Sequence, residues 1–359
     1  MKGSIPTQVA VLPPGEQRLR IETVVMAEPG PWAVLVEQSA SGICHSQLDV
    51  IDRGSSEPLV LGHESIGKVL ATGQEVSHVR VGDEVLVTWL PRSGTVSRKP
   101  VLPRVPLGDG TCAVTHNIFT WATHIVVDEQ HVVKAPVGTP EMVGSIIGCA
   151  VMTGAGAVVN LARSAGGRLS VVVWGVGGVG LSAVAAARNL GADPVIAVDV
   201  DDAKLRLASE FGAGQLVNAS EVDPVARVRE LTHSDQGFDG VDYAFECTGR
   251  PECVGLSLAA VRPGIPGIEH GGSAVLVGAP QVPVELDGMD ILLGEKRLIG
   301  CCGGGCVPER DFPRFVDWSR TGRLDLAALV TDRYPLEGVN DAVADLRAGR
   351  IRGRAIFEF

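Results

Sequence analysis

The chain has 359 residues, more than one hydrophobic core usually serves, so about two domains are expected. Hydrophobic residues make up 45% and charged residues 20%, as in globular proteins, and the formal net charge of -11 disfavours nucleic acid or anionic lipid as a partner. No basic leader precedes an apolar stretch and no apolar run is long enough to span a bilayer, so a cytoplasmic protein with no membrane partner is expected.

From residue 5 to about 135, short β-branched runs broken by Gly and Pro (LRIETVV, AVLVEQSA, SIGKVLAT, DEVLVTW, HIVVDEQHVVKA) predict an irregular β-rich domain. Within it, Cys44 stands in GICHSQLDV and His63 in LGHESIG, and Cys149 follows in GCAVMTG. Ligands of S, N and S type leave a fourth tetrahedral position open, the pattern of a catalytic zinc. Their scattered spacing supports this, because a structural zinc would concentrate its cysteines in CxxC pairs and the chain has none. The remaining cysteines read as reduced thiols packed as small hydrophobes.

From about 151 the texture changes to strand and helix in alternation. VVVWG, a helical stretch to Leu190, PVIAVDV, a helix from about 202 to 211, and the strands VDYAFECTG and GSAVLVGA follow one another, with LARS and LSLAAV as helical pieces. This order predicts a parallel sheet covered by helices on both faces. Val171 to Trp174 lead into Gly175-Val-Gly177-Gly178-Val-Gly180 and an apolar helix, a strong dinucleotide signature in that context. Its first glycine allows the tight turn, its second lets backbone approach a pyrophosphate, and its third lets helix pack on strand. Phosphate would rest on the free N–H groups of the helix start. Asp199, nineteen residues after Gly180, is placed to bind ribose hydroxyls and to repel a 2′-phosphate, so NAD is expected rather than NADP, with Lys204 able to reach the same ribose. After about 303 come the helical sequences FPRFVDWSR and VNDAVADLRAG and the strand-like RAIFEF.

With these motifs in place, the chain resembles the zinc-containing alcohol dehydrogenases of the medium-chain dehydrogenase/reductase superfamily. GHESIGKVLATGQEV fits that family's signature at Gly62, Gly67, Gly73 and Val76, and the similarity runs over nearly the whole chain apart from about 91 to 115. The resemblance implies an α/β protein with a GroES-like catalytic domain from residues 1–150 and 303–359, a Rossmann NAD-binding domain from 151–302, and an active site in a cleft. It implies that Cys44, His63 and Cys149 hold one zinc that acts as a Lewis acid on an alcohol or carbonyl, with Glu64 as a carboxylate able to approach the metal. Ser46 would start a proton relay, and His45 and Arg354 would contact the cofactor pyrophosphate. Val277, Cys301 and Gly303 would offer backbone groups to the carboxamide, with Val179 behind the ring. Trp89, His116, Trp121, Thr153 and Cys302 align near the substrate pocket, and the tryptophans favour an apolar or aromatic alcohol, aldehyde or ketone. A homodimer or homotetramer is the family expectation, formed through a sheet edge that includes VPVELDG and KRLIG.

Departures from the family are as informative. The lobe with four cysteines for a structural zinc is replaced by PRSGTVSRKPVLPRVPLGDGTC, which holds only Cys112, so a single zinc is predicted. That segment is expected to be a loop at the pocket mouth or an oligomer contact. Gln47 stands where an Asp commonly supports the zinc-ligand histidine; a neutral carbonyl still orients the ring but donates less electron density. Asp49 stands where the relay commonly ends in histidine, and an ordinary carboxyl is a poor proton acceptor near neutrality. Asp49 is therefore read as a ribose anchor, with His45 or water carrying the proton. Two further readings stay open: reduction of a conjugated double bond or iminium, and a non-catalytic NAD-binding protein.

Overall fold

In the computed structural model, which describes residues 5–92, 98–163, 169–233 and 239–359, the chain divides into two units. Residues 93–97, part of the segment that replaces the cysteine-rich lobe, lie outside the described residues. The first unit holds residues 1–150, 307–321 and 326–359, and the second holds 151–306 and 322–325. The chain thus returns to the first unit at Val307 rather than at 303. The reason is local to the second unit: a Cβ on Gly304 would lie 1.9 Å from the Met152 carbonyl, and Cys306 Sγ donates to that carbonyl at 3.3 Å, which ties the CGGGC turn to the helix Met152–Leu161.

Among the described residues, the first unit is built on a seven-stranded sheet. Its long central strand Ala33–Ile43 pairs antiparallel with Glu64–Thr72, His124–Asp128 and the C-terminal Arg354–Glu358. Val34, Val36, Val69 and Ile125 of these strands, with Val85 and Val87 of the neighbouring strand Glu84–Thr88, are β-branched, buried and part of one core cluster. The strand Ile5–Leu12 and the helix His45–Arg53 were not predicted. That helix is short and carries only Gln47, Leu48 and Ile51 inward, too few residues for a clear helical period against the strand-like texture around it.

The second unit matches its sequence reading closely. Among the described residues, six parallel strands lie in the order Gln215–Asn218, Val195–Asp199, Val171–Trp174, Tyr243–Glu246, Ser273–Leu276, Arg297–Gly300. Val171, Val172 and Val173 are fully buried, as a continuous apolar run must be when helices cover both faces. The order reverses between Val171–Trp174 and Tyr243–Glu246, and ligands bind beyond the carboxyl ends of strands at such a switch point. The expected strand VPVELDG is absent. Residues 282–287 run irregularly into the helix Gly288–Leu293, so of these two segments the KRLIG region alone supplies a strand, Arg297–Gly300, at one edge of the sheet.

Candidate metal centre and nucleotide turn

Cys44, His63 and Cys149 converge inside the first unit, with their ligand atoms all within 4.8 Å of one another. Each is delivered by a different device. Cys44 ends the central strand and precedes the helix His45–Arg53. His63 follows Gly62, whose φ of +94° and tight seat against Thr120 and Trp121 exclude a side chain there. Cys149 sits in a π-helical turn, Ile147–Val151, that interrupts the helical run Glu141–Leu161, which, against expectation, is long and apolar enough to cross a membrane but is mostly buried in the fold. Such turns re-aim a side chain without breaking the helix. Gly148 beside it meets the Val87 carbonyl where a Cβ would be, at 2.3 Å, and its own carbonyl accepts the Thr88 hydroxyl at 2.7 Å.

This donor set fits zinc. Cys44 and Cys149 sulfurs lie 3.9 Å apart, near the roughly 3.8 Å between two thiolates on one tetrahedral zinc. Nε2 of His63 lies 3.1 Å from Cys149 Sγ. Cys44 is held well below the usual thiol range, first by the hydrogen bond from Cys149 and, against the effect of burial, by the Arg354 charge. A second observation concerns Gln47. Its amide nitrogen lies 3.0 Å from His63 Nδ1, while its buried Oε1 has no partner. With a metal on Nε2, Nδ1 carries the hydrogen and the amide turned over lets Oε1 accept it, satisfying both groups. Gln47→Ala is expected to weaken zinc retention about 10- to 100-fold in a competition titration with a chromophoric chelator. Unchanged retention would remove Gln47 from the site.

Glu64 and Arg354 read differently in the structure. Glu64 is fully buried; one carboxylate oxygen is paired with the Arg354 guanidinium and the other accepts the Ala150 N–H at 3.2 Å. Both Glu64 carboxylate oxygens are thus partnered by groups other than the metal ligands. Burial works against the Arg354 charge, yet Glu64 and the Cys44 sulfur keep its pKa well above the ordinary arginine value. Arg354, only 6% exposed, pairs with Glu64 inside this unit, while its Nε has no partner among the described residues. Burial pushes the Glu64 carboxyl above its ordinary range, against the pull of the Arg354 charge.

The predicted relay residues fall on the helix His45–Arg53. His45 and Ser46 are exposed on its first turn and Asp49 is half-buried. Asp49 follows Ser46 by three residues and His45 by four, the spacings that bring side chains together on a helix.

In the second unit the glycines behave as their motif requires. Gly175 has φ +79°, a Cβ on Gly177 would meet nothing within 4 Å, and a Cβ on Gly180 would meet the Gly175 carbonyl at 1.9 Å. Gly177 thus leaves space before the helix Gly178–Asn189, where the N–H groups of Gly178, half-buried Val179 and Gly180 face outward along the axis. Asp199 accepts the Val176 N–H at 2.9 Å and the Val200 N–H at 2.8 Å, which fixes its carboxylate beside the turn; Lys204 lies half-buried on the following helix. The Val277 and Cys301 N–H groups are taken by the Glu246 and Leu276 carbonyls, so these positions have only carbonyls to present. Gly303 is buried in a left-handed conformation with φ 58°.

Of the expected pocket residues, Trp121 is core. It is 0% exposed, donates to the Gly42 carbonyl at 3.2 Å and packs edge-on against Phe357 at 5.2 Å. Trp89 is half-buried and His116 exposed in the first unit, while in the second Thr153 is half-buried and Cys302 exposed.

Sequence reading missed Glu246. Its 1%-exposed side chain accepts the Thr248 N–H at 2.7 Å, the Gly249 N–H at 3.1 Å and the Thr248 hydroxyl, and its carbonyl accepts Val277 and Gly278 N–H groups. Thr248 in turn abuts Gly175, whose added Cβ would lie 2.5 Å from Thr248 Cγ2. One buried glutamate therefore braces the two loops that follow Tyr243–Glu246 and Ser273–Leu276, beside the glycine turn. The run ECTG, an acid followed by Thr-Gly at a strand end, carries that signal.

Comparison with known proteins agrees with this site. A family model for the alcohol dehydrogenase GroES-like domain matches residues 30–137, and one for the zinc-binding dehydrogenase domain matches 178–321. The chain is 29% identical to an alcohol dehydrogenase class-3 of Cereibacter sphaeroides, over 98% of this chain and 100% of that one. Among solved structures it is similar to an alcohol dehydrogenase zinc-binding domain protein from Burkholderia ambifaria, at 31% identity and TM-score 0.87 over 99% of this chain and 100% of the other. It is also similar to benzyl alcohol dehydrogenase from Acinetobacter calcoaceticus, at 30% identity and TM-score 0.85 over 99% of both chains.

Proposed function

The chain belongs to the zinc-containing alcohol dehydrogenases of the medium-chain dehydrogenase/reductase superfamily, zinc-dependent oxidoreductases of small alcohols, and from that premise we propose NAD(H) as its cofactor and an apolar or aromatic alcohol, with its aldehyde or ketone, as its substrate. The observation that carries this reading is the S, N, S donor set with the Gln47 amide behind its imidazole. When bound, zinc supplies Lewis acidity toward the oxygen of the alcohol or carbonyl.

Everything else falls to the chain's own residues. Cys44, Cys149 and His63 hold the metal, and Gln47 fixes the ring. Ser46, exposed at the helix start, takes the substrate hydroxyl proton and hands it on; Asp49 anchors the ribose and His45, one turn back, or water carries the proton away. On the other unit the Gly175–Gly180 turn and the helix start bind pyrophosphate, and the Asp199 carboxylate accepts ribose hydroxyls. The substrate class rests on half-buried Trp89 and on similarity to a protein named for benzyl alcohol.

We also infer association through the Arg297–Gly300 edge, supported by Met289, Leu292 and Leu293, which are 58%, 66% and 60% exposed on the adjoining helix. A cytoplasmic location is supported by all eight cysteines being free thiols.

A panel of benzyl-type, short aliphatic and polyol alcohols, with the matching aldehydes and enones, tests the reading through NADH absorbance. Turnover is expected with benzyl-type alcohols and aldehydes in NAD(H), at least tenfold above the polyols by kcat/KM. Turnover of enones without any simple carbonyl would overturn it, and a preference for NADP would overturn the role of Asp199.

A further inference from the structure

We propose that the first unit carries a second small-molecule site, separate from the metal centre, for an amphipathic monocarboxylate with an apolar or aromatic body. A cavity of about 340 Å³ opens between the start of the central strand and the segment Val101–Pro106, within the size range of small-molecule sites. Its walls are Met26, Trp32, Val101, Leu102, Phe119 and Val126. The cavity is distinct from the metal centre in its lining, which includes none of Cys44, His63 and Cys149 and no residue of the helix His45–Arg53.

The segment that replaces the missing cysteine-rich lobe forms one wall, and it is pinned in place. Arg98 grips Asp128 through two nitrogens at 2.7 and 2.9 Å, and its guanidinium lies 4.6 Å from the centre of the Trp32 ring. The same Asp128, 2% exposed, accepts the Val101 N–H at 2.8 Å and the Gln130 N–H at 3.0 Å. Burial alone would raise the Asp128 carboxyl, but Arg98 and these N–H groups hold it below the ordinary range. A wall held this way needs little ordering on binding.

Charge selects the ligand. The one acid in the lining is neutralised by Arg98, whereas Arg104, exposed at the lining, makes no ion pair among the described residues. An apolar cavity whose remaining lining charge is a guanidinium suits a carboxylate attached to an apolar body.

Calorimetric titration of phenylpropionate into the zinc-loaded protein tests this. Saturable binding of one ligand per chain is expected, about tenfold weaker in Arg104→Ala, largely restored in Arg104→Lys, and lost in Leu102→Asp, which sets a repelling charge in the wall. Phenylpropionamide should bind more weakly than the acid and ignore Arg104→Ala. Cys44→Ser should bind phenylpropionate as well as the parent does. Loss of binding in Cys44→Ser with no effect of Arg104→Ala would assign the ligand to the metal and overturn the proposal. So would no saturable binding, or self-association of the chain abolished by Leu102→Asp in its place.

Discussion

Cys149→Ser is expected to abolish alcohol oxidation, with a loss well beyond the ~100-fold that removal of a residue supporting a metal ligand costs. Serine keeps the size of the side chain and removes the thiolate, leaving one sulfur and one imidazole where a tetrahedral zinc needs three protein donors. Cys149 also occupies a π-helical turn stitched to Thr88 through the Gly148 carbonyl, so the fold around it should persist. NAD affinity measured by fluorescence should change by no more than about twofold, because the glycine turn lies in the other unit. Activity retained within tenfold, or NAD binding lost together with activity, would break the assignment.

Arg354→Met is expected to produce the largest loss of stability from one substitution. It leaves the fully buried Glu64 carboxylate with only the Ala150 N–H, and stripping one partner from a buried ion pair costs about 3–5 kcal/mol. For a unit of this size that corresponds to a fall in Tm of roughly 10 °C. The paired variant Glu64→Gln/Arg354→Met removes both charges and should regain at least half of that loss. If Arg354→Met melts within about 2 °C of the parent, the buried pair is not what holds the C-terminal strand against the start of Glu64–Thr72. The pair also sets the electrostatics beside the metal: Arg354 is among the groups that keep Cys44 below the usual thiol range.

The motifs with strict spacing are the most legible part of the chain. Gly175 and Gly180 each meet a geometric demand, a φ of +79° and a 1.9 Å approach, that other residue types do not satisfy, while Gly177 leaves open space for an approaching ligand. Cys44, His63 and Cys149 are soft donors in unusual contexts, and their convergence follows from the family resemblance. Side-chain surroundings are less legible. Trp121 and Trp89 look equally apolar in sequence, yet only tertiary packing shows that Trp121 closes the core against Phe357 while Trp89 stays half-buried. Arg354 and Glu64 lie 290 residues apart, and nothing local signals that they will meet. The VPVELDG segment alternates like a strand, but among the described residues 282–287 pair with no neighbouring strand. Asp49 and Gln47 depart from the family pattern; Gln47 keeps its place on His63, and its buried, unpaired Oε1 marks the group that a metal on the other ring nitrogen would satisfy.

The central claim is that Cys44, His63 and Cys149 hold one catalytic zinc on which alcohol oxidation depends. Metal analysis of the purified chain, paired with NADH formation before chelation, after chelation and after zinc is returned, tests it most directly. One zinc per chain is predicted, with activity falling and recovering in proportion to the zinc bound. Full activity in protein holding well under one zinc per chain would contradict it.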